Sequence, residues 1–346
     1  MKKIILTIAM ACISTTAIAG AKVYGRIDAG VASVSGVGSN DDSVLGLAYG
    51  PLSSSRWGIK GKEDIGGGYT ARFKLESELH NDTGRAGGNN KRPSGVGDVF
   101  WKRHSTVGLA GPFGTIDAGL VKSLDKVRAT KYSMLGANFG GFKTYKGIKI
   151  GDRVENSLTY VSPKLGPATI ALQYGFGESV GSMKSDSRMA AALDFKMKPV
   201  KGSVYYSAQE GETGRDWSQI GVGVATDIKG FVVKGGYVKL TNDTASESFA
   251  KADASGYHAS VAVPVSKWTK AYAGYNYTTS DDNKGAKGYQ LALLHNLSKK
   301  TTLYTMYASV SNEESGKLSA HKKGLSAAPA AGGDSSGFVI GVRHKF

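Results

Sequence analysis

From Lys22 to the end of the chain, hydrophobic and polar residues alternate in segments of about ten residues. In the first segment Val23, Ile27 and Val31 share one face, and Arg26 lies on the opposite face. Alternation with a period of two is typical of a β-strand that has one apolar and one polar face. The pattern therefore predicts an all-β fold.

The sequence contains sixteen such segments, which begin near residues 22, 55, 69, 100, 114, 153, 168, 188, 202, 217, 231, 255, 270, 287, 301 and 335. The segments near 100 and 114 are the least regular, so their inward and outward faces stay open. An even number of strands places both chain termini on the same side of a membrane. We expect one barrel domain over residues 22–346.

The connections between segments alternate in length. Short turns occupy 162–167, 227–230 and 264–267, whereas long polar connections occupy 81–99, 122–152, 242–254 and 311–334. Short turns at one end and long loops at the other are typical of an antiparallel transmembrane β-barrel. The connection 311–334 is rich in alanine and glycine, and we expect it to be a mobile surface segment.

The last segment ends the chain on an aromatic residue. One face of this segment carries Phe338, Ile340, Val342, His344 and Phe346, and the other face carries Val339, Gly341, Arg343 and Lys345. Aromatic side chains form girdles where a transmembrane barrel meets the membrane–water boundary. The terminal strand is therefore predicted to close a barrel that lies in a membrane.

The N-terminus is typical of an export signal. Lys2 and Lys3 precede a short apolar run over 4–11, and small residues at Ala19 and Ala21 fit a cleavage site. The run is too short for a membrane anchor, and no charged stop follows it. We expect residues 1–21 to be a signal peptide that is cleaved after Ala19 or Ala21, and the chain to reach the outer membrane.

Composition favours strands over membrane helices. The chain has 48 Gly and 17 Tyr but only 8 Pro, and its mean hydropathy is −0.22. Beyond residue 21 no uncharged apolar run approaches the ~18 residues that a spanning helix needs. A transmembrane barrel has such a composition because only every second residue of a strand faces lipid.

Charge changes the expected partners. The net charge is +16, with 44 Lys plus Arg against 28 Asp plus Glu. A basic soluble protein would suggest nucleic acid, but an exported chain meets small anionic solutes and the phosphates of outer-membrane lipid and lipopolysaccharide instead. Total charge does not decide whether the excess lines a pore or the outer loops.

Residue types that carry catalysis are sparse. The single cysteine, Cys12, lies in the expected signal, so the mature chain is predicted to hold no disulfide and no metal thiolate. The six histidines are scattered without a metal-binding pair, and no Gly-x-Ser-x-Gly elbow is present. We therefore predict no enzyme activity, no cofactor and no metal site.

Several stretches together resemble one family, the general bacterial porins of Gram-negative outer membranes in their neisserial and betaproteobacterial branch. The resemblance runs in order along the mature chain over 23–30, 55–64, 107–109, 113–116, 156–163, 297–304 and 341–346. It implies a sixteen-stranded homotrimeric barrel whose third outer loop folds inward to form a constriction opposite a ladder of basic wall residues. It also implies that the assembly machinery reads the terminal Phe346.

The resemblance identifies the connection 122–152 as the loop that folds inward. Its charged residues are Lys122, Asp125, Lys126, Arg128, Lys131, Lys143, Lys146, Lys149 and Asp152. The family commonly has acidic residues here, but Asp125 is almost alone until Asp152. The family also usually has Arg where this chain has Leu120 after Gly119, and Lys122 is a possible replacement.

Five basic residues on inward faces are candidates for ion selectivity: Arg56, Lys60, Arg72, Lys74 and Arg153. With Asp125 and Arg128 of the inward loop they form the predicted constriction. The alternative is that some of them hold the wall together through ion pairs with Glu76, Glu78 or Glu155, since ion-pair networks resemble functional clusters.

Together these features predict a water-filled channel for passive diffusion of small hydrophilic solutes, with a preference for anions. The other function considered is a surface adhesin whose long outer loops bind a partner. A closed barrel of that kind would be electrically silent in a bilayer.

Overall fold

A computed structural model of the chain describes residues 20–87, 99–136, 138–139, 153–211, 215–242, 253–321, 323–325 and 327–346. The strands are β1 (Lys22–Val37), β2 (Asp42–Tyr49), β3 (Arg56–Gly66), β4 (Tyr69–His80), β5 (Arg85–Ala86), β6 (His104–Gly111), β7 (Gly114–Lys122), β8 (Arg153–Val161), β9 (Ala168–Gly175), β10 (Arg188–Met197), β11 (Val200–Glu210), β12 (Arg215–Ile228), β13 (Phe231–Asn242), β14 (Ala254–Pro264), β15 (Thr269–Ser280), β16 (Ala286–Asn296), β17 (Thr301–Asn312) and β18 (Ser335–Lys345). One helix, α1 (Leu124–Tyr132), and a 3₁₀ turn (Met134–Gly136) follow β7.

The strands form one closed antiparallel sheet. β1 pairs with β18, which joins the first and last strands and closes the barrel. β2 and β3 both pair with β1 and form one interrupted barrel strand. β5 is a two-residue extension that pairs with the end of β4. The barrel wall therefore consists of sixteen strands, which confirms the predicted architecture.

The break between β2 and β3 is held by a buried carboxylate. Asp28 of β1 accepts hydrogen bonds from the Ser53 amide and from the Tyr304 hydroxyl, the latter at 2.5 Å. The Asp28 amide in turn donates to Ser55 Oγ at 2.9 Å. The sequence pattern did not separate β2 from the connection after β1. In the structure β2 is a separate strand that ends before this break. The local pattern could not show the break, because the contacts that stabilise it join residues that are far apart in sequence.

The two faces of the wall are clearly distinguished. Large apolar side chains point outward and are exposed, with Val23 63%, Val31 58% and Ile340 61% accessible. The sequence did not decide which face of the segments near 100 and 114 points outward. The structure does, because Val107, Leu109 and Ile116 are exposed on the outside of the barrel. A hydrophobic surface that surrounds the barrel is what lipid contact requires.

Tyrosines form a band on the outer face near the end that carries the long connections. Tyr237, Tyr257 and Tyr277 lie directly opposite one another on β13, β14 and β15. The Tyr257 and Tyr277 ring centroids are 5.3 Å apart. At the opposite end of β15, Trp268 is 50% exposed. These rings are typical of the two aromatic girdles of a membrane barrel.

Connections at the two ends of the barrel differ in length, as the sequence predicts. At one end none of the turns between strands is longer than 162–167. The opposite end, called the outer end below, carries 81–103, 123–152 and 313–334. In the described part of the chain, no helix has the length and apolar character needed to span a membrane.

Candidate functional site

Helix α1 lies inside the barrel against the inner faces of β9–β13. A nine-residue helix is marginal alone, because few intrahelical bonds offset the cost of starting it. The wall supplies partners for both ends. Gln173 Oε1 accepts from the Leu124 amide at 3.2 Å, and Lys234 Nζ donates to the carbonyls of Lys131 and Ser133 at 3.1 and 3.3 Å. The barrel wall thus supplies hydrogen-bond partners for the backbone amides and carbonyls that have none within the helix at its two ends.

Ion pairs tie the buried side of α1 to β10. Arg188 Nη2 lies 3.0 Å from both oxygens of Asp125, and the Arg188 guanidinium stacks 4.9 Å from the Trp217 ring centroid. One turn further on, Arg128 Nη2 donates to Asp194 Oδ2 at 2.6 Å. Asp125 is fully buried, so these contacts fix the helix rather than face the solvent.

Glycines in the wall make room for the end of the helix and the turn after it. A Cβ on Gly223 would lie 2.3 Å from Cδ2 of Tyr132, and a Cβ on Gly274 would lie 2.7 Å from Sδ of Met134. Burial, together with the nearby Asp194 carboxylate, raises the pKa of Tyr132 to about 12. The phenol is therefore neutral where it packs on Gly223.

The described tip of the same connection crosses to the far wall. Asn138 Nδ2 donates to the Leu52 carbonyl at 3.1 Å, and Gln290 Nε2 donates to the Phe139 carbonyl at 2.8 Å. Leu52 lies in the break between β2 and β3. The described part of the third outer connection therefore runs across the lumen and narrows it, which confirms the predicted inward loop.

The last outer connection also folds into the barrel. Ala320, His321 and Ala327 are almost fully buried, and the His321 ring lies 5.1 Å from the Phe139 ring. The expectation that 311–334 is a mobile surface segment is therefore wrong for its described residues. Their small side chains pack against the inner wall and the third connection in one apolar cluster.

A cavity of about 840 Å³ remains between these loops and wall residues of β1–β4, β7, β8, β13, β15, β16 and β18. Glu78 is the one carboxylate among its described lining residues. Eleven basic side chains line it: Arg26, Arg56, Lys102, Arg103, Lys122, Lys126, Lys131, Arg153, Lys234, Lys323 and Arg343. Low-dielectric walls focus the field of such charges and concentrate anions.

Two of the predicted selectivity residues line this cavity. Arg56 Nη1 lies 3.5 Å from Glu76 Oε1, and its Nε donates to the Ser54 carbonyl at 3.1 Å. Arg153 Nε donates to the Arg103 carbonyl at 2.9 Å. Both guanidinium groups are therefore held in position and both border the cavity.

The other three predicted wall residues lie outside the cavity lining. Arg72 pairs with Asp117 on β7, and Lys74 Nζ lies 3.7 Å from Glu76 Oε2. Lys60 Nζ lies 5.0 Å from the Tyr24 ring centroid. The alternative, an ion pair with Glu76, Glu78 or Glu155, is present for Lys74 and also for Arg56. Arg72 is paired with a different carboxylate, Asp117, and Lys60 makes a cation–π contact.

The inward loop presents a different set of charges from the one predicted. Asp125 and Arg128 face the wall, whereas Lys126 and Lys131 border the cavity. The other charged residues of this connection, Lys143, Lys146, Lys149 and Asp152, lie outside the described residues.

A basic residue, Lys122, lies two positions after Leu120, the position at which the resemblance leads us to expect Arg. Lys122 lies opposite Arg153 and lines the cavity, whereas Leu120 does not. The register of β7 and β8 shifts between Gly119 and Val121. This irregularity separates the environments of Leu120 and Lys122, and it could not be read from a regular alternation.

Sequence reasoning missed several lining residues. Lys102 and Arg103 precede β6 in an irregular connection, and Lys323 lies in the connection that was expected to be mobile. Lys234 does follow the alternation of β13 and could have been found by its inward position. The others carried no local signal, because only the closed barrel brings them together.

The chain terminus joins the first strand. Phe346 donates its amide to the Gly25 carbonyl at 3.1 Å and accepts from the Gly25 amide at 3.2 Å. Its ring is 46% exposed on the outer surface.

No group of three or more His, Cys, Asp or Glu residues that could hold a metal ion occurs within the described residues.

Comparisons with known proteins agree with this architecture. A family model described as Gram-negative porin matches residues 6–315. Outer membrane porin protein 32 of Delftia acidovorans is 30% identical over 377 residues, which span 100% of both chains. Major outer membrane protein P.IB of Neisseria gonorrhoeae is 29% identical over 187 residues, covering 53% of this chain and 50% of that protein.

Solved structures are similar over nearly the whole chain. The anion-selective porin from Comamonas acidovorans superposes with a TM-score of 0.79 at 25% identity, covering 94% of this chain and 99% of that one. A trimer form of OmpT from Vibrio cholerae shares the fold, with a TM-score of 0.65 at 15% identity and coverage of 94% and 99%. With its closed barrel, its inward loop and these relatives, the chain belongs to the Gram-negative porin family.

Proposed function

We propose that this outer-membrane porin prefers anions as it passes small hydrophilic solutes by passive diffusion. The observation that carries the proposal is the cavity in which eleven basic side chains face a single described carboxylate, Glu78. Charged groups at the narrowest part of a wide pore bias which sign of ion passes. The similar porin of Comamonas acidovorans is itself described as anion-selective.

Among the predicted residues, we propose that Arg56 and Arg153 contribute most to this preference because both border the cavity. Arg72 and Lys74 contribute less, since each lies beside a carboxylate outside the lining. Asp125 and Arg128 act on selectivity through the position of α1. Solute recognition here needs no cofactor, and we propose no catalytic role.

The test is a reversal potential across a planar bilayer with a salt gradient. An anion-preferring channel gives a potential of the sign expected for chloride, and the opposite sign would overturn the proposed preference. Absence of any conductance from folded protein would favour the adhesin alternative, in which the barrel is closed.

We further propose that the mature protein is a homotrimer in contact with outer-membrane lipid and lipopolysaccharide, and that residues 1–21 are removed as a signal peptide. The trimer form of a protein that shares the fold supports the first point. Mass spectrometry of the exported protein, native and denatured, tests the subunit number and the site of cleavage after Ala19 or Ala21.

A further inference from the structure

An apolar groove with a volume of about 470 Å³ crosses the lipid-facing side of the barrel between β7 and β11. One row of outward side chains runs across it, each directly opposite the next: Tyr160 on β8, Leu172 on β9, Ala191 on β10 and Tyr206 on β11. Ala191 has by far the smallest side chain of the four. The surface is therefore lowest at Ala191, and its larger neighbours form the sides of the groove.

Two tyrosines of the groove present their rings to it while their hydroxyl groups are bound elsewhere. The Tyr160 hydroxyl donates to the Phe113 carbonyl at 2.9 Å, and the Tyr174 hydroxyl donates to the Met183 carbonyl at 3.0 Å. Because both phenols are held by the backbone of neighbouring connections, their rings have fixed positions. A groove lined in this way is suited to hydrocarbon and not to a polar ligand.

The apolar surface continues past the wall into the connection 176–187 at the outer end. The Phe176 ring lies 5.1 Å from the Tyr174 ring, and the Met183 side chain is 90% exposed. Lys184 comes next and is also exposed. An apolar surface that ends in an exposed lysine matches a lipid, because the ammonium group reaches the phosphate level while the apolar residues contact the acyl chains.

The volume of the groove suits a single acyl chain. Since an apolar cavity of about 150 Å³ holds one benzene molecule, about 470 Å³ has room for roughly three such volumes, or a chain of about 18 carbons. The groove lies among outward residues that face lipid, so a hydrocarbon chain is the ligand that surrounds it. Its outer end opens toward the leaflet that carries lipopolysaccharide in a Gram-negative outer membrane.

We propose that this groove is a binding site for lipopolysaccharide, in which one acyl chain of lipid A lies over Ala191 and a lipid A phosphate binds Lys184. Lipid A carries acyl chains and phosphates in one molecule, so it matches both parts of the site. The chain is held between side chains of fixed position, which distinguishes the site from general contact with the bilayer. This inference rests on the proposed contact with lipopolysaccharide and adds its location.

The experiment counts lipid A molecules bound to the purified protein in detergent by native mass spectrometry. Ala191→Phe fills the groove, and Ala259→Phe is the matched control at an exposed outward position on β14. We expect Ala191→Phe to bind about one lipid A fewer per chain than the wild type and Ala259→Phe. Ala191→Leu, a smaller filling, should give an intermediate loss. Wild-type conductance verifies that each variant is folded.

Lys184→Gln tests the phosphate contact. A lysine at a charged lipid surface contributes an attraction that corresponds to roughly a fivefold change in affinity, so lipid A should bind this variant roughly fivefold more weakly. Lys229→Gln removes an exposed lysine at the opposite end of the barrel and should bind lipid A like the wild type.

Equal lipid A binding by Ala191→Phe and Ala259→Phe would overturn the groove as the site, and equal binding by the two lysine variants would overturn the phosphate contact. Loss of oligomers in Ala191→Phe alone would identify the groove as a contact between copies of the chain and overturn the lipid site. Phosphatidylethanolamine that binds the wild type as tightly as lipid A would overturn the choice of lipopolysaccharide. A wild type that binds no lipid A would instead refute the proposed contact with lipopolysaccharide itself.

Discussion

Arg188 donates to both oxygens of the fully buried Asp125, at 3.0 Å each, and so joins helix α1 to strand β10. This pair lies between the constriction loop and the wall. Its charges do not face the cavity. The position of the narrowest part of the pore therefore depends on residues that a permeating solute does not touch.

Replacing Asp125 with Asn should loosen the constriction. Breaking a buried ion pair from one side costs about 3–5 kcal/mol because the remaining charge is left uncompensated. We expect a folded barrel whose single-channel conductance is larger and noisier. Asp117→Asn is the control, since it removes the ion pair with Arg72 and does not contact α1. The same noise in both variants would argue against an anchoring role.

Replacing Arg153 with Glu should lower the anion preference. The side chain borders the cavity, and the change reverses one charge there. Arg72→Glu should have a smaller effect, because Arg72 lies outside the lining next to Asp117. Reversal potentials of the two variants make the comparison. If Arg153→Glu has no effect, that residue is not part of the selectivity site.

The anion preference should weaken as salt rises. The Debye length falls from about 10 Å at 0.1 M to about 3 Å at 1 M, so the field of the lining charges reaches less of the pore. Reversal potentials measured at a constant salt ratio but increasing total concentration test this. A preference that does not change with salt would contradict selectivity through the field of the lining charges.

Adding a methyl group at Gly223 should displace the end of α1. A Cβ there would lie 2.3 Å from Cδ2 of Tyr132, and overpacking of this kind costs about 1–3 kcal/mol. We expect Gly223→Ala to change conductance and lower thermal stability. The neighbouring strand offers a control at Gly235, where a Cβ would have 3.5 Å to its nearest atom, the His258 carbonyl. Equal losses in both variants would contradict a specific role of the Tyr132 contact.

Removing the terminal aromatic ring should reduce assembly in cells. Family resemblance predicts that Phe346 is read during assembly, and its ring is exposed on the outer surface. Phe346→Ala should lower the amount of heat-modifiable barrel in the outer membrane, while protein refolded in detergent should conduct normally. Normal levels in the membrane would contradict the predicted signal.

Local alternation was sufficient to predict the barrel, because within each strand the apolar positions alternate with the polar ones and so show which residues face lipid. It also located Arg56 and Arg153 on the inner wall. It could not find the pairing of Arg72 with Asp117, since Asp117 lies 45 positions away in the sequence. Lys323 was missed for a similar reason. Its neighbours in the sequence are mostly small residues, and their burial depends on how the connection folds into the lumen, which the local sequence does not show.

The aromatic rings at the two ends of β15 also fix how the barrel sits in its membrane. Tyr277 and Trp268 are nine positions apart, which corresponds to ~30 Å along a strand at ~3.4 Å per residue. A strand tilt of ~40° reduces this to ~23 Å along the membrane normal, close to the ~25 Å apolar band of outer-membrane barrels. In a much thicker bilayer, lipids next to this wall would have to thin to match it, at a cost that rises with each ångström of mismatch.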